Sequence, residues 1–410
     1  MNRYGFRLAN YSACKLHPMI MDFSWSEEQQ QAYAQARAFA ERELRYTPSG
    51  ADAAVWRERW DKCARFGLQG LNIPARYGGL ASDTLSALHV LEGIGRGCDD
   101  NGLLMGLGAQ LWSVNPPLLA FGSEEQKQQW LPLLARGSAV GAFALTEPES
   151  GSDVFHLHTH ARAESGGFRL SGVKTFITNA PRADLFLLFA SSAAGGGYFG
   201  LTAFLLPRTL EGLEIGPPMQ KMGLETSPMS EVRLDEVWVP AQAVLGETGG
   251  GGAVLRYTLE WERGCLLAPA LGTIERLLES TAVYTRERKQ FGRPVFEFEA
   301  VARQLAEMRL RLELARLLVY EFAWHKDQHL PAAVQASMVK LYLSESLRRA
   351  SELAVHLHGA SGYMRELEFE RNWRDAMASS IYSGTTEMQH NLIAESLLRA
   401  PVARGGEAGR

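Results

Sequence analysis

The pattern of apolar and polar positions along the chain changes twice, near residues 140 and 247. In residues 21–139, runs such as EEQQQAYAQARAFAERELR are built from strong helix formers. The clusters NIPARYGG and NPP interrupt these runs and predict loops between helices. Ser24 or Ser26 can cap the first helix, because both precede the acidic residues that favour its positive end. We therefore predict a helical N-terminal domain over 21–139.

The second stretch, residues 140–246, consists of short runs that contain aromatic and β-branched residues. These runs are FRLSGVKTFITNA, DLFLLFASS, LTAFLLP and EVRLDEVWVP, bounded by Gly and Pro. In the first run, Phe168, Leu170 and Val173 alternate loosely with polar positions, as in a half-buried strand. Several such strands separated by turns predict an antiparallel β-barrel or sandwich, and we take the barrel as the middle domain.

The helical period returns after the glycine run at 249–252, which we interpret as a hinge, and fills residues 247–400. One long helix is predicted from about 255 to 288, followed by helices at 299–327 and 331–358. So few breaks predict a C-terminal bundle of the four-helix type. The order of helices, strands and helices differs from the alternation of a Rossmann fold, so the fold class is α+β and multidomain.

The two ends of the chain carry separate expectations. Residues 1–20 contain Arg3, Arg7 and Lys15 without acidic residues, which faintly resembles a transit peptide. An apolar signal-peptide core is missing, so we interpret this segment as a dispensable or mis-assigned extension, with targeting as the alternative. The last residues, 401–410, end in ARGGEAGR and are predicted to be a disordered tail.

Composition and charge argue against several classes of protein. A formal charge of −4 and a pI near 6.2 give no indication of a nucleic-acid-binding surface. No window reaches the ~18 consecutive apolar residues of a membrane-spanning helix. Four dispersed cysteines without a C-x-x-C pair predict neither zinc nor disulfides, but a reducing, cytoplasmic location. Three histidines of HLHTH are interpreted as solvent-facing rather than metal-binding: His156, His158 and His160.

Four short motifs carry the candidate chemistry. FALTEPESGSD at 143–153 is small and hydroxylic, so its backbone and hydroxyl groups can approach a flat polar ligand. KTFITNAP at 174–181 offers an aromatic plane beside a hydroxyl. RERKQFGRP at 286–294 places cations at a helix end, where they suit a diphosphate or the helix dipole. IYSGTTEMQ at 381–389 precedes a helix whose N-terminus can accept an anion or carbonyl.

In this order and on this layout, the four motifs resemble the acyl-CoA dehydrogenase family, over about residues 21–398. The resemblance implies FAD as the cofactor, with the flavin between the barrel and the C-terminal bundle. The family more often has Trp at the position of Phe176. The residues that the resemblance assigns to the cofactor are Phe143, Leu145, Thr146, Gly151, Ser152, Phe176, Ile177, Thr178, Arg288, Gln290, Phe291, His356, Gly359, Thr385 and Glu387.

The resemblance also implies an oligomer. Arg288, Gln290 and Phe291 match the segment that reaches the FAD of a neighbouring subunit. Cofactor sites shared in this way occur in homo-oligomers, usually a dimer of dimers. We therefore expect a homotetramer.

The reaction implied by the resemblance needs a base that removes the α proton of an acyl thioester while the β hydride goes to the flavin. Many family members carry a Glu directly before Gly-Thr, but Ser383 stands there and cannot serve. A minority, isovaleryl-CoA dehydrogenase among them, place the base before an Arg on the long helix, which matches Glu262 and Arg263. Glu260, the rival, points elsewhere on a helix. The predicted substrate-binding residues are Ser152, Arg263, Ser383 and Gly384.

A narrower resemblance concerns the carrier of the acyl group. WERGCLLAPALGTIERLLE, RKQFGRP and YSGTTEMQHNLIAE are similar to L-prolyl carrier-protein dehydrogenases, which implies a carrier-protein partner instead of coenzyme A. Glu225 departs from the basic residue that many relatives carry. The electron acceptor is expected to be a flavoprotein or oxygen. Two alternatives stay open: an oxidase or monooxygenase of the same fold, and a non-catalytic flavin-binding assembly protein.

Overall fold

Six α-helices form the N-terminal part of the computed structural model, which describes residues 24–192 and 197–399. They are α1 (Glu27–Glu43), α2 (Ala53–Phe66), α3 (Thr84–Gly97), α4 (Asn101–Ser113), α5 (Asn115–Phe121) and α6 (Glu124–Ala135). Ser26 caps α1, because its hydroxyl accepts from the Gln29 amide at 3.2 Å and the Gln29 side chain returns a bond to Ser26 N. The predicted 1–20 extension and 401–410 tail lie outside the described residues.

Eight strands form one sheet in the middle of the chain. They are β1 (Gly141–Ala144), β2 (His160–Glu164), β3 (Gly167–Thr178), β4 (Leu185–Ser191), β5 (Leu201–Pro207), β6 (Leu213–Ile215), β7 (Met229–Pro240) and β8 (Val244–Leu245). The hydrogen-bonded order is β6-β7-β3-β2-β4-β5-β8, with β1 attached to β4. Among the described residues the end strands β6 and β8 do not pair, so the sheet is open where a closed barrel was predicted.

The direction of two strands also corrects the prediction. Most neighbours are antiparallel, as expected, but β1 and β2 each pair with β4 in parallel. A parallel pair needs a long connection, and the chain supplies one because β2 and β3 separate β1 from β4. Short apolar runs alone do not distinguish the two directions, so the sequence could not reveal this pairing.

The central strand β4 is buried on both faces, which explains its continuous apolar run LFLLFA. Leu185, Leu187 and Phe189 pack into one core cluster, with residues of α5 and α6. The alternate residues, Phe186 and Leu188 among them, pack into a second cluster between the strands. Strand β4 therefore packs against the N-terminal helices on one face and against side chains of the other strands on the opposite face.

Seven α-helices and one small hairpin follow the sheet. They are α7 (Gly251–Cys265), α8 (Pro269–Glu287), β9 (Lys289–Gln290), β10 (Arg293–Pro294), α9 (Glu299–Asp327), α10 (Ala333–His358), α11 (Ala360–Tyr363), α12 (Phe369–Ala378) and α13 (Thr386–Arg399). The helix predicted at 299–327 is confirmed by α9. The predicted boundaries of the three domains themselves stay predictions.

The single helix predicted at 255–288 was wrong, because α7 ends at Cys265 and α8 begins at Pro269. Proline has no amide hydrogen and its ring crowds the preceding turn, so the helix cannot pass through it undisturbed. Half of the predicted hinge at 249–252 already belongs to α7. Gly251 and Gly252 are buried in the first turn of α7, and a Cβ on Gly252 would lie 2.5 Å from the Tyr198 carbonyl oxygen.

One hydrophobic core joins the two helical regions. It contains buried side chains from α1 to α4 together with side chains from α7 to α10. Where α3 crosses α8, a Cβ on Gly95 would lie 1.8 Å from the Pro269 carbonyl oxygen, so the backbones touch there. This close contact fixes α8, which follows α7 and its candidate base, against the N-terminal helix α3.

Candidate active site

Glu262 lies in the last turn of α7 and is 8% exposed. The Ser383 hydroxyl donates a hydrogen bond of 2.6 Å to its Oε1, whereas the buried Oε2 has no partner among the described residues. Burial raises the pKa of Glu262, and the Ser383 bond and the Arg263 charge only partly oppose that rise. A buried carboxylate with one free oxygen suits a proton acceptor.

Side-chain hydrogen bonds to the backbone carbonyls of Ser383 and Gly384 hold this loop in place. Ser383 and Gly384 both have left-handed backbones, with φ of 59° and 88°. Arg263 Nε donates to the Ser383 carbonyl at 3.0 Å, and Gln389 Nε2 donates to the Gly384 carbonyl at 3.0 Å. The predicted residues Glu262, Arg263, Ser383 and Gly384 are thus neighbours. Gln389 was missed, although it ends the fourth motif.

A buried lysine and a half-buried tyrosine complete this cluster. Lys340 of α10 is 1% exposed, and its ammonium has no hydrogen-bond partner among the described residues. Burial lowers the pKa of Lys340 to about 8. Its Nζ lies 5.9 Å from the centroid of the Tyr382 ring. Lys340 could not be recognised from the sequence as a site residue, because a lysine on a helix is usually solvent-exposed.

The rival Glu260 points away from this cluster, as expected from its spacing. Its carboxylate forms an ion pair of 2.7 Å with Lys326. The Trp261 ring between the two glutamates stacks on Trp112 of α4, with centroids 5.9 Å apart. Trp261 directly precedes Glu262, so this aromatic pair lies next to the candidate base in α7.

The first two motifs lie side by side in the sheet region. The Thr175 amide donates to the Thr146 carbonyl at 2.8 Å, and Lys174 Nζ donates to the Leu145 carbonyl at 3.0 Å. Lys174 also forms a fully buried ion pair of 2.7 Å with Glu147. Sequence reasoning missed this pair, whose members sit 27 positions apart. It ties the two candidate flavin segments together.

The residues of these motifs fit a flat aromatic cofactor. Phe176 is 62% exposed at a left-handed φ of 58°, so its ring face is available, and Thr178 beside it is half-buried. Gly151 and Ser152 are exposed, and a Cβ on Gly151 would meet nothing within 4 Å. An available ring face next to hydroxyls and an open glycine loop suits the isoalloxazine and its polar edge. Three more predicted residues line the same segments: Phe143, Leu145 and Ile177.

The remaining predicted cofactor residues lie elsewhere on the chain. Arg288, Gln290 and Phe291 are exposed around the β9–β10 hairpin, with Phe291 at 92%. Phe291 packs only edge-on against Phe298 among the ring contacts of the described residues. Four others are at α10 and α13: His356 and Gly359 exposed, Thr385 half-buried before the first turn of α13, and Glu387 exposed. No described hydrogen bond or ion pair joins the hairpin to the Glu262 cluster.

A small cavity of about 40 Å³ adjoins the cluster. Its wall is mostly apolar and includes Leu104, Met105, Leu266 and Tyr382. Leu266 is one turn beyond Glu262, and Tyr382 directly precedes Ser383. Neither Glu262 nor Ser383 lines this cavity, and the carboxylate in its wall is the buried Asp375.

The sequence matches three domains of one family in the order of the fold. These are the N-terminal domain of acyl-CoA dehydrogenase over residues 26–138, the middle domain over 142–237 and the C-terminal domain over 249–398. The chain belongs to the acyl-CoA dehydrogenase family. The fold predicted from the resemblance is confirmed at the level of helical, β and helical regions.

Known proteins and solved structures that are similar to this chain agree with the family. The L-prolyl-[peptidyl-carrier protein] dehydrogenase of Pseudomonas fluorescens Pf-5 is 36% identical over 92% of this chain and 100% of its own length. The mitochondrial short-chain specific acyl-CoA dehydrogenase of Bos taurus is 34% identical over 94% of each chain. The crystal structure of the prolyl acyl carrier protein oxidase AnaB has a TM-score of 0.88 and 42% identity over 91% of this chain and 100% of that one.

The activity of this family member follows from these findings. The chain is an enzyme that dehydrogenates an acyl thioester with FAD as its cofactor, as predicted. Among residues 24–192 and 197–399, no group of three His, Cys, Asp or Glu side chains is placed to hold a metal ion. None of the helices in the described ranges is long and apolar enough to span a membrane.

Proposed function

We propose that this acyl-CoA dehydrogenase oxidises a small cyclic aminoacyl thioester, the L-prolyl group, while it is held on a carrier protein. The observation that carries the proposal is Glu262, a buried carboxylate with a free Oε2 on α7 instead of in the loop before Gly384. A base on the helix approaches the acyl group from a different direction, which suits branched and cyclic groups. Relatives named for prolyl carrier-protein substrates support the choice.

In the proposed reaction Glu262 Oε2 takes the α proton of the thioester, and the product is the α,β-unsaturated thioester. Bound FAD supplies the acceptor for the hydride that leaves the β carbon, so two electrons leave the acyl group in one oxidation. Thr146, Thr178 and the ring of Phe176 would hold the flavin. The Trp112–Trp261 pair and Leu266 exclude water from the proton acceptor, which keeps its pKa raised.

The test of the base uses two glutamates of one helix. Replacing Glu262→Gln should leave FAD bound but slow anaerobic flavin bleaching near 450 nm by roughly 10²- to 10⁴-fold, because the proton acceptor is lost. Glu260→Gln is the matched control, since Glu260 pairs with Lys326 and faces away from the cluster. Retained bleaching in Glu262→Gln would contradict the assignment of the base.

The carrier is tested with the same assay. Prolyl-loaded carrier protein and a panel of acyl-CoAs, isovaleryl-CoA and butyryl-CoA among them, are offered separately to the wild-type enzyme. Bleaching by the carrier-bound prolyl group alone is the expected result. Bleaching by an acyl-CoA instead would assign a catabolic dehydrogenase and remove the carrier protein as partner.

A second candidate function is an oxidase, favoured by the 42% identity to a structure named as a prolyl acyl carrier protein oxidase. Admission of air to the bleached enzyme distinguishes the two. Rapid return of the 450 nm band with hydrogen peroxide would identify oxygen as the acceptor, whereas slow return would favour an electron-transfer flavoprotein. The non-catalytic assembly protein is disfavoured by the intact geometry of Glu262.

We also propose a homotetramer in the cytoplasm. The exposed Leu310, Leu314 and Leu317 share one face of α9, and they would be covered in an assembly. The buried, unpaired thiols Cys63, Cys98 and Cys265 suit a reducing compartment. The division into domains at 21–139, 140–246 and 247–400 belongs to the same proposal.

A further inference from the structure

The hydroxyl that contacts Glu262 belongs to the residue that replaces the more common base of the family. Ser383 is too weak an acid to exchange protons with a thioester, yet its hydroxyl lies 2.6 Å from Glu262 Oε1. The two residues are 121 positions apart, so the bond exists only because α7 and the loop before α13 meet. Serine therefore has a specific contact at a position where a smaller residue would leave a gap.

We propose that Ser383 is a positioning residue: its hydroxyl holds Oε1 of Glu262 and leaves Oε2 as the oxygen that takes the α proton. This inference rests on the proposed role of Glu262 as the base. A carboxylate with no partner can rotate about its last bond and present either oxygen. One bond to a fixed donor removes that freedom and defines the direction of the free oxygen.

The donor is fixed because the backbone of Ser383 is held from two sides. Arg263 Nε and Gln389 Nε2 both donate to the Ser383 carbonyl, at 3.0 and 3.3 Å. The left-handed φ of 59° is retained against its intrinsic cost by these bonds. Arg263 follows Glu262 directly in α7. One turn of helix therefore carries both the base and the arginine that holds the backbone of Ser383, the hydrogen-bond donor to that base.

The bond is one of several charged or polar influences on Glu262. Burial raises its pKa most strongly, while Ser383, Arg263 and Ser113 of α4 lower it. The charge of Lys340 of α10 lowers the pKa of Glu262 as well, and the charge of Glu262 in turn raises the pKa of Tyr382. Because Ser383 donates to the ionised form, its removal favours the protonated carboxyl.

The experiment compares three variants of the full-length holoenzyme. Ser383→Ala and Ser383→Gly both lack the hydroxyl, but glycine also relieves the left-handed backbone. Ser380→Ala is the matched control. Ser380 lies three residues before Ser383, and its hydroxyl donates to the Met377 carbonyl at 3.0 Å instead of to Glu262. The carboxyl stretching band lost in Glu262→Gln is assigned to Glu262 and followed against pH in infrared difference spectra.

We expect the pH midpoint of Glu262 protonation to rise by about one pH unit in both Ser383 variants and to stay unchanged in Ser380→Ala. At a pH below that midpoint, flavin reduction by prolyl-loaded carrier protein or isovaleryl-CoA should slow about tenfold, with little change in KM. An unchanged midpoint in Ser383→Ala and Ser383→Gly would overturn the inference. So would a wild-type midpoint in the glycine variant alone, which would assign the effect to the backbone.

The result separates this inference from the proposed function. The midpoint is measured without substrate, so it reports the hydrogen bond whatever the enzyme oxidises. One outcome is that Glu262→Gln still reduces its flavin while the Ser383 variants shift the protonation midpoint of Glu262. Ser383 then holds Glu262, but Glu262 is not the base. The other outcome is that Glu262→Gln is inactive while the Ser383 variants leave the protonation midpoint of Glu262 unchanged. The assignment of Glu262 as the base is then correct, and Ser383 has no part in placing it.

Discussion

At the scale of the residue, the environment of each side chain decided its chemistry. Glu262 is buried with one carboxylate oxygen unpartnered among the described residues, whereas Glu260, two positions earlier, forms an ion pair with Lys326. The local sequence favoured Glu262 only through resemblance, and Ser383 was expected to contact the substrate. In the structure the Ser383 hydroxyl donates to Glu262, and its contact with the substrate stays a prediction. Such a pair cannot be recognised from one sequence, since nothing local links two positions on separate elements.

The raised pKa of Glu262 gives a prediction for the pH dependence of catalysis. The base must be ionised to take a proton, and burial moves its pKa above the usual range of a glutamate. Flavin reduction should therefore fall as pH falls through this raised pKa, and level off above it. Stopped-flow bleaching at 450 nm against pH measures the acid limb. If the acid limb of this pH–rate profile falls at the pKa of an exposed glutamate, Glu262 is solvated in the working enzyme.

At the scale of the element, most helices were predictable and their junctions were not. The capping box at Ser26 and the period of α9 are local properties, so both could be seen in the sequence. The break before Pro269 was missed because the leucine spacing continues through it. The buried glycines of α3 and α8 were missed as well, since their role depends on the backbone of another helix.

The crossing of α3 and α8 predicts the effect of one methyl group. In Gly272→Ala the Cβ would lie 2.1 Å from the Glu92 carbonyl oxygen and 2.2 Å from the Arg96 amide nitrogen. Alanine favours a helix over glycine by ~1 kcal/mol, yet we expect unfolding free energy to fall by about 1–3 kcal/mol. Thermal denaturation measures the change.

A glycine with room for a methyl group serves as the control for this variant. At Gly216 an added Cβ would lie 3.6 Å from its nearest neighbour, Glu231 Cβ, which is ordinary contact. Gly216→Ala should leave the melting temperature almost unchanged. A Gly272→Ala protein that melts higher than the wild type would mean that the two helices separate at little cost.

At the scale of the whole molecule, the fold brings Glu262 together with Ser383 and its neighbours, and the first two motifs together with each other. Arg288, Gln290 and Phe291 project from β9–β10, and the ring of Phe291 is almost fully exposed. This arrangement agrees with a hairpin that contacts the cofactor of a second copy. The exposed leucine face of α9 supplies the apolar surface that such an assembly needs.

The hairpin predicts that FAD affinity depends on assembly. Arg288→Ala should weaken FAD binding about tenfold or more, because a charge-assisted bond to a phosphate is lost, while the mass by light scattering stays that of the wild-type oligomer. Arg286→Ala, an exposed arginine two positions earlier at the end of α8, is the control. Unchanged FAD affinity in Arg288→Ala would contradict a role for the hairpin in cofactor binding.

The sequence by itself determined the order of helical and β regions, the four motifs and the need to seek a base other than Ser383. These depend on local propensity, periodicity and residue type, which act within a few positions of the chain. Tertiary structure alone decided that β1 and β2 run parallel to β4, that Lys174 pairs with Glu147, and that Ser383 bonds Glu262. Each of those depends on a contact between distant segments, whose energy comes from burial and exclusion of water.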